Sequence, residues 1–396
     1  MLGAVLPVFP NPSTGNPSMK LKFQQTAGYF AAFFILGSII ASLGPTLPEL
    51  GDLVSRKPGS LGFLFSVRSL GYLSGSLLGG YLYERIRGHR LMAVGLVAVA
   101  LSMALIPLNP LLIPLVILLF AAGTGLGALD VGSNTLLARV RRENSGPYLN
   151  GMYLLAGIGS MLTPLYLSQV NFRMEYWGLS LLALLGAAWL IFTPSPAILQ
   201  MAQEDQTGPQ HKAFLTVFCL LAFLFVGIEI TYGGWIFTYA QQIQLGGPQS
   251  AYLLTSLFWM SITVGRLISI PVSAFLEPSL NVILLLAGGV LSSTMTALLP
   301  FSPAAVWVGT AGIGLSLSAI FPTTFHFIRK NSPLPEKSYG LVWASGSLGG
   351  IFLPWFSGEM FSRTGASSLM VIVLISWAAA LGLFLFLHRR HPDRAG

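Results

Sequence analysis

Charge is scarce in this sequence. Only 9% of the 396 residues are Asp, Glu, Lys or Arg, while 54% are hydrophobic; a soluble domain carries about 25% charged residues because its surface must face water. Cysteine is nearly absent: Cys219 stands alone inside an apolar run, which excludes a disulfide framework and a cysteine-based metal site and leaves it a small packing residue. No glycine loop followed by Lys and Ser or Thr is present to cradle a nucleotide phosphate, so no cofactor or nucleotide is expected and any energy supply must be an ion gradient. The opening residues, Met1 to Ser18, lack the basic and apolar regions of a secretory signal. They read as a disordered tail, with Met19-Lys20-Leu21-Lys22 a plausible alternative start.

What is present is a succession of apolar runs, each long enough to span a bilayer at about 20 residues. They fall near 23–50, 59–83, 90–108, 111–140, 146–170 and 176–194, then 213–242, 249–276, 279–299, 303–328, 337–362 and 367–388. The fold expected is an all-α membrane protein of about twelve transmembrane helices. The formal net charge of +8 sits in short basic clusters between the runs, a distribution that fits membrane topology and not nucleic-acid binding. Lys20, Lys22, Arg85, Arg87, Arg90, Arg139, Arg141, Arg142, Lys212, Arg329, Lys330, Lys337, Arg389, Arg390 and Arg394 sort to one side, against Arg56, Lys57, Arg173 and Arg363 on the other. By the positive-inside rule both termini are cytoplasmic, and a multi-pass location in the plasma (inner) membrane is expected.

The polar interval 195–212 divides the chain near its middle, with Glu204 and Asp205 as solvated loop acids. The expected organisation is a tail at 1–22, a six-helix half at 23–194, a linker at 195–212, a second half at 213–388 and a tail at 389–396. An internal repeat supports it: Gly123-Thr-Gly-Leu aligns on Gly312-Ile-Gly-Leu at an offset of 189, which also carries Arg141 onto Lys330. One residue further in offset, Gly159 and Pro164 fall on Gly349 and Pro354, and Gly75 on Gly265. Parallel duplication of a six-span unit marks transporters with two pseudo-symmetric bundles and a midplane site; small residues used independently for helix packing would explain single matches but not a shared register.

The loop Gly80-Tyr-Leu-Tyr-Glu84-Arg85-Ile-Arg87-Gly88-His89-Arg90 resembles the signature of the major facilitator superfamily, one residue longer and with His89 in place of a base. The resemblance implies a gating role for Glu84, Arg85 and Arg90. Four further segments resemble the branch of fucose:proton symporters and sodium-dependent glucose transporters: Gly44-Pro45-Thr46-Leu47-Pro48, Ser66-Val-Arg68-Ser-Leu-Gly71-Tyr72, Gly-Leu-Gly-Ala-Leu-Asp130-Val-Gly-Ser-Asn134-Thr, and Gly227-Ile-Glu229-Ile-Thr-Tyr232-Gly233-Gly234-Trp235. In the fucose transporter the fourth-span acid is glutamate, where this chain has Asp130. A monomer is implied, in a lipid bilayer, with a small solute and a proton or sodium ion as partners and no nucleic acid.

Charges inside spans are costly and mark ion or substrate pathways. Four lie deep here: Arg68, Asp130, Glu229 and Arg266. Low-dielectric surroundings favour the neutral form of a carboxyl group, so Asp130 is a candidate proton carrier, with Glu229 and Arg68 as partners in coupling and Arg266 in gating. The rival is a set of structural pairs, such as Asp130 with Arg68. Asn134 lies one helical turn from Asp130 and suits a sugar hydroxyl, as donor and acceptor. Tyr232, Trp235 and Tyr239 follow Glu229 along one side of their span, where aromatic faces suit a sugar ring; a packing face is the plainer alternative. His326 could be a hydrogen-bonding cavity residue or a packing residue, with packing the favoured reading. The function expected is cation-coupled symport of a sugar or similar polyhydroxylated solute, proton favoured over sodium; a proton-coupled exporter of drugs or metabolites, with a more apolar cavity, is the competing reading. A membrane receptor is disfavoured for want of a signalling domain, and no enzymatic site or metal site is expected.

Overall fold

In the computed structural model, the described residues are 17–142, 144–197, 212–331 and 336–390. Most of the first tail, the linker with Glu204 and Asp205, and the end of the last tail lie outside them. Thirteen helices are present among the described residues: α1 (Pro17–Ser42), α2 (Leu47–Leu53), α3 (Phe63–Leu82), α4 (Gly88–Leu105), α5 (Leu112–Val140), α6 (Ser145–Leu167), α7 (Phe172–Phe192), α8 (Lys212–Gln242), α9 (Pro248–Phe275), α10 (Pro278–Leu298), α11 (Pro303–Asn331), α12 (Glu336–Thr364) and α13 (Ser367–Arg390). Helix is the expected solution, because lipid offers no hydrogen bonds and the backbone must satisfy itself within each span. Prolines open α9 and α10, where a missing N–H costs nothing. Asn171 caps α7 by accepting the Met174 N–H at 2.9 Å. Gly365, with φ of +93°, follows the end of α12, the left-handed position that glycine adopts freely.

Ten of the described helices are long and apolar enough to cross a membrane. The other two long ones, α6 and α12, are richer in Gly, Ser and Pro, residues that let helices approach one another closely. Large apolar side chains point outward along the spans, among them Leu77, Ile113, Phe192 and Phe275, as a lipid-embedded surface requires.

One expected span is broken. The run 23–50 ends as a helix at Ser42; a turn at Leu43–Thr46 follows and α2 starts at Leu47. The cause is the Gly44-Pro45 and Pro48 sequence, since proline removes a helical donor and disfavours helical geometry in the preceding residue.

The chain divides into two compact units, Met1–Ile40 with Leu70–Met201 and Ala41–Ser69 with Ala202–Gly396. Residues 41–69, grouped by sequence with the first half, therefore belong structurally to the second unit. Within each unit the repeat has become the same set of helix crossings. The first packs α4 on α5 and on α7; the second packs α10 on α11 and on α13. Gly159 of α6 lies so close to the Phe34 carbonyl of α1 that a Cβ could not fit, and Gly349 of α12 lies in the same way on the Phe223 carbonyl of α8. Phe34 and Phe223 are themselves 189 apart.

Candidate functional site

The first unit holds a polar cluster built around Asp130. On α3, Gly71 and Gly75 are spaced one turn apart and press on the backbone of α5 at Phe120 and Thr124, while Gly127 of α5 presses on Tyr72 of α3. Removing three side chains from this seam lets the backbones meet. The approach delivers the Tyr72 hydroxyl to Asp130, where it donates to Oδ2 at 2.5 Å. From one turn along α5, Asn134 Nδ2 donates to Asp130 Oδ1 at 2.9 Å and to the Asp130 carbonyl at 3.0 Å. The Tyr153 hydroxyl of α6 donates in turn to Asn134 Oδ1 at 3.4 Å. Tyr72, Asp130 and Asn134 are half-buried and Tyr153 is exposed, so the cluster is anchored on one side and reachable on the other. Two N–H or O–H donors facing one carboxyl group are what an ionised aspartate needs when removed from bulk water.

Sequence reasoning identified Asp130 and Asn134 but missed Tyr72 and Tyr153 as their partners. The available signal was the glycine spacing, Gly71 with Gly75 on α3 and Gly127 on α5, the three positions at which α3 and α5 meet.

In the second unit, Glu229 on α8 is half-buried, and Arg266 lies on α9, which packs against α8. Arg68 is buried near the start of α3 with its guanidinium 5.9 Å from the Phe65 ring centre. Tyr232, Trp235 and Tyr239 are each fully buried, so in this conformation none offers an open face to a sugar. Tyr232 shares a 2.8 Å hydrogen bond with Thr310. Tyr239 reaches the Pro300 carbonyl at 3.5 Å. Trp235 donates from Nε1 to the Pro354 carbonyl at 3.0 Å, stacks on Phe361 at 5.4 Å and lies 5.7 Å from Phe65. Gly62 and Gly358 crowd its indole edge, and Gly44 meets the backbone of Gly233 and Gly234. Residues 41–69 thus close over α8 and α12 through glycines, and Trp235 fills the junction.

In the loop after α3, Glu84, Arg85 and Arg90 are exposed, and the Arg85 guanidinium rests on the Tyr81 ring at 3.7 Å. His89, the departure from the superfamily pattern, is buried; Nδ1 binds the Thr193 carbonyl at 2.8 Å and Nε2 pairs with the Tyr29 hydroxyl at 2.8 Å. This ring ties α1, α4 and the end of α7 together, and the two contacts fit a neutral imidazole that donates from Nδ1 and accepts at Nε2. His326 is exposed instead of packed, a facing that spacing alone did not fix. Among the described residues no group of three or more His, Cys, Asp or Glu is placed to hold a metal ion.

The family model described as Major Facilitator Superfamily matches residues 29–354. A sodium-dependent glucose transporter 1A of Mus musculus is 27% identical over 369 residues, covering 82% of this chain and 87% of that protein. A human major facilitator superfamily domain-containing protein 4A is 24% identical, covering 94% of each chain. Among solved structures, a D-xylose-proton symporter superposes with a TM-score of 0.77 at 15% identity, covering 94% of this chain and 98% of that one. The nucleoside transporter NupG superposes with a TM-score of 0.73, also at 15% identity, covering 93% and 98%. At such identities the two structures speak for the fold alone.

Proposed function

Starting from a chain that belongs to the major facilitator superfamily, a family of membrane transporters and not of enzymes, we propose that it carries a sugar or similar polyhydroxylated solute by cation-coupled symport. The observation that carries this reading is the Tyr72–Asp130–Asn134 cluster: an intramembrane carboxyl group fixed by two donors, with an amide and an exposed phenol beside it. Asp130 is the coupling residue. Asn134 hydrogen-bonds solute hydroxyls, using an amide that both donates and accepts.

A proton is the preferred cation. Hard cations are bound through converging oxygen lone pairs, whereas Tyr72 and Asn134 turn an O–H and an N–H toward the carboxylate. A proton arriving on Asp130 turns one carboxyl oxygen into a donor: at Oδ2 the bond to the Tyr72 hydroxyl reverses, and at Oδ1 the Asn134 N–H loses its acceptor and is released to the solute. The sugar-transporting names of the relatives support the solute class, while the word sodium in them makes sodium coupling the reading to test against.

Glu229 and Arg266 serve as a charge pair in the second unit, with Arg68 as a further buried base. Trp235 becomes available to solute only if residues 41–69 withdraw from α8 and α12, and Tyr232 and Tyr239 only if their contacts with Thr310 and Pro300 open. Glu84, Arg85 and Arg90 act on the rate of conformational exchange at the side that the basic clusters assign to the cytoplasm.

The deciding experiment is uptake of labelled glucose into proteoliposomes under an imposed pH gradient, an imposed sodium gradient, or neither. Accumulation with the pH gradient alone is expected. Accumulation with sodium alone replaces the proton by sodium, and a failure of either gradient to drive glucose accumulation, alongside proton-driven movement of an apolar dye, would favour export of apolar compounds.

A further inference from the structure

A second feature of the first unit is unrelated to the Asp130 cluster. A groove of about 830 Å³ opens between α1, α6 and α7, lined by Phe30, Phe34, Leu155, Leu182, Leu185 and Trp189, with Arg141 at one end. Leu182, Leu185 and Trp189 are 40%, 59% and 50% exposed, so the groove faces outward along two membrane-spanning helices. Its lining runs along α1 from Phe23 to Ile35, a length of about 18 Å at the helical rise. One leaflet of hydrocarbon is about 15 Å deep. An apolar trough of that length cannot hold water stably and matches a single acyl chain.

Its polar end has the opposite character. Arg141 follows the last turn of α5; its Nε donates to Thr26 Oγ1 at 3.1 Å and its guanidinium lies 4.3 Å from the Tyr148 ring centre. Among the described residues no carboxylate pairs with it, and Lys20 and Lys22 stand exposed at the start of α1. Trp189 Nε1 donates to the Gln24 carbonyl at 3.1 Å at this same end, as tryptophans do at membrane interfaces. The site is therefore apolar at depth and cationic at the headgroup level.

We propose that this groove binds an anionic membrane phospholipid, its acyl chain along Phe34, Leu182 and Leu185 and its phosphate on Arg141. The bound lipid belongs to the leaflet at the basic end of the unit, and it steadies α6 and α7 against α1.

The test is native mass spectrometry of the full chain in detergent, with dioleoyl phosphatidylglycerol, dioleoyl phosphatidylcholine or inorganic phosphate added. Phosphatidylglycerol is expected to bind in preference to phosphatidylcholine, with phosphate alone giving no stable adduct. Arg141→Gln should lower the preference about fivefold, the loss expected for one basic residue at a headgroup. Ala31→Trp, which fills the groove without touching Arg141, should lower occupancy by both lipids. Equal binding of the two lipids, or a phosphatidylglycerol preference unchanged in both variants, overturns the assignment. So does an Ala31→Trp variant that changes oligomeric state and leaves lipid binding intact, since that outcome puts a second copy of the chain in the groove. If Arg141→Gln fails to fold, the Ala31→Trp result alone decides.

Discussion

The two units are built from one repeat, yet they treat their intramembrane acids differently. In the first, Asp130 on α5 receives hydrogen bonds from Tyr72 and Asn134 at 2.5 and 2.9 Å. The positions that follow from the offset of 189 on α11 are Ala319 and Thr323, so the second unit has no acid there. Its mid-span acid, Glu229, sits instead on α8, with Arg266 on the adjoining α9. The crossing glycines Gly159 and Gly349 are duplicated with their backbone contacts. Duplication has kept what packing demands, because a Cβ at either glycine would collide with backbone, and has let the polar chemistry diverge.

The largest expected difference between the two units is in coupling. Asp130→Asn should abolish accumulation driven by a pH gradient while solute counterflow persists, because asparagine resembles the protonated acid and leaves the site neutral. Glu229→Gln should reduce accumulation and leave its pH response in place. Accumulation by Asp130→Asn that still follows the pH gradient would remove the proton from Asp130, and loss of coupling only in Glu229→Gln would invert the comparison. A structural Asp130 gives a third pattern, since the variant leaves one of the Tyr72 and Asn134 donors without its acceptor, at about 1 to 3 kcal/mol, and would lower thermal stability and expression together.

Next in size is the contrast between packing and recognition. Trp235→Ala removes a fully buried indole with its hydrogen bond to Pro354 and should cost about 3 to 5 kcal/mol of stability. Asn134→Ala should leave the melting temperature near that of the wild type and weaken solute affinity by about 1 to 3 kcal/mol. Thermal melts and equilibrium binding on the same two preparations separate them; an Asn134→Ala variant with unaltered affinity removes that residue from the solute site.

The shared architecture can be tested through the glycines. Gly159→Ala and Gly349→Ala each force a methyl against a facing carbonyl and should destabilise by similar amounts, about 1 to 3 kcal/mol each. A large effect at one and none at the other would mean that the repeat is not used equivalently. The smallest effect is expected at the exposed loop: Glu84→Gln or Arg85→Gln should slow solute exchange less than about tenfold and leave equilibrium binding unchanged, as suits charges in water that contribute about 0 to 1 kcal/mol. A collapse of affinity in stopped-flow or binding measurements would move that loop from gating to recognition.

Much of this protein is legible without coordinates. Scarcity of charge and the length of the apolar runs determine a helical membrane chain, because a polar backbone in lipid has few other solutions. The register of Gly123, Gly159 and Pro164 against Gly312, Gly349 and Pro354 reveals the duplication, and the cost of charge in a span singles out Asp130 and Glu229. Tertiary structure alone decided which side chains meet. Lipid and protein interior are both apolar, so a membrane helix carries no polar stripe to tell its inward face from its outward one. For that reason spacing could draw Trp235 and Tyr239 as a ligand face when α12 and residues 41–69 in fact bury Trp235, and could not draw Tyr72 onto Asp130. That contact depends on the rotation and closeness of α3 against α5, which three glycines permit and only the packed helices fix.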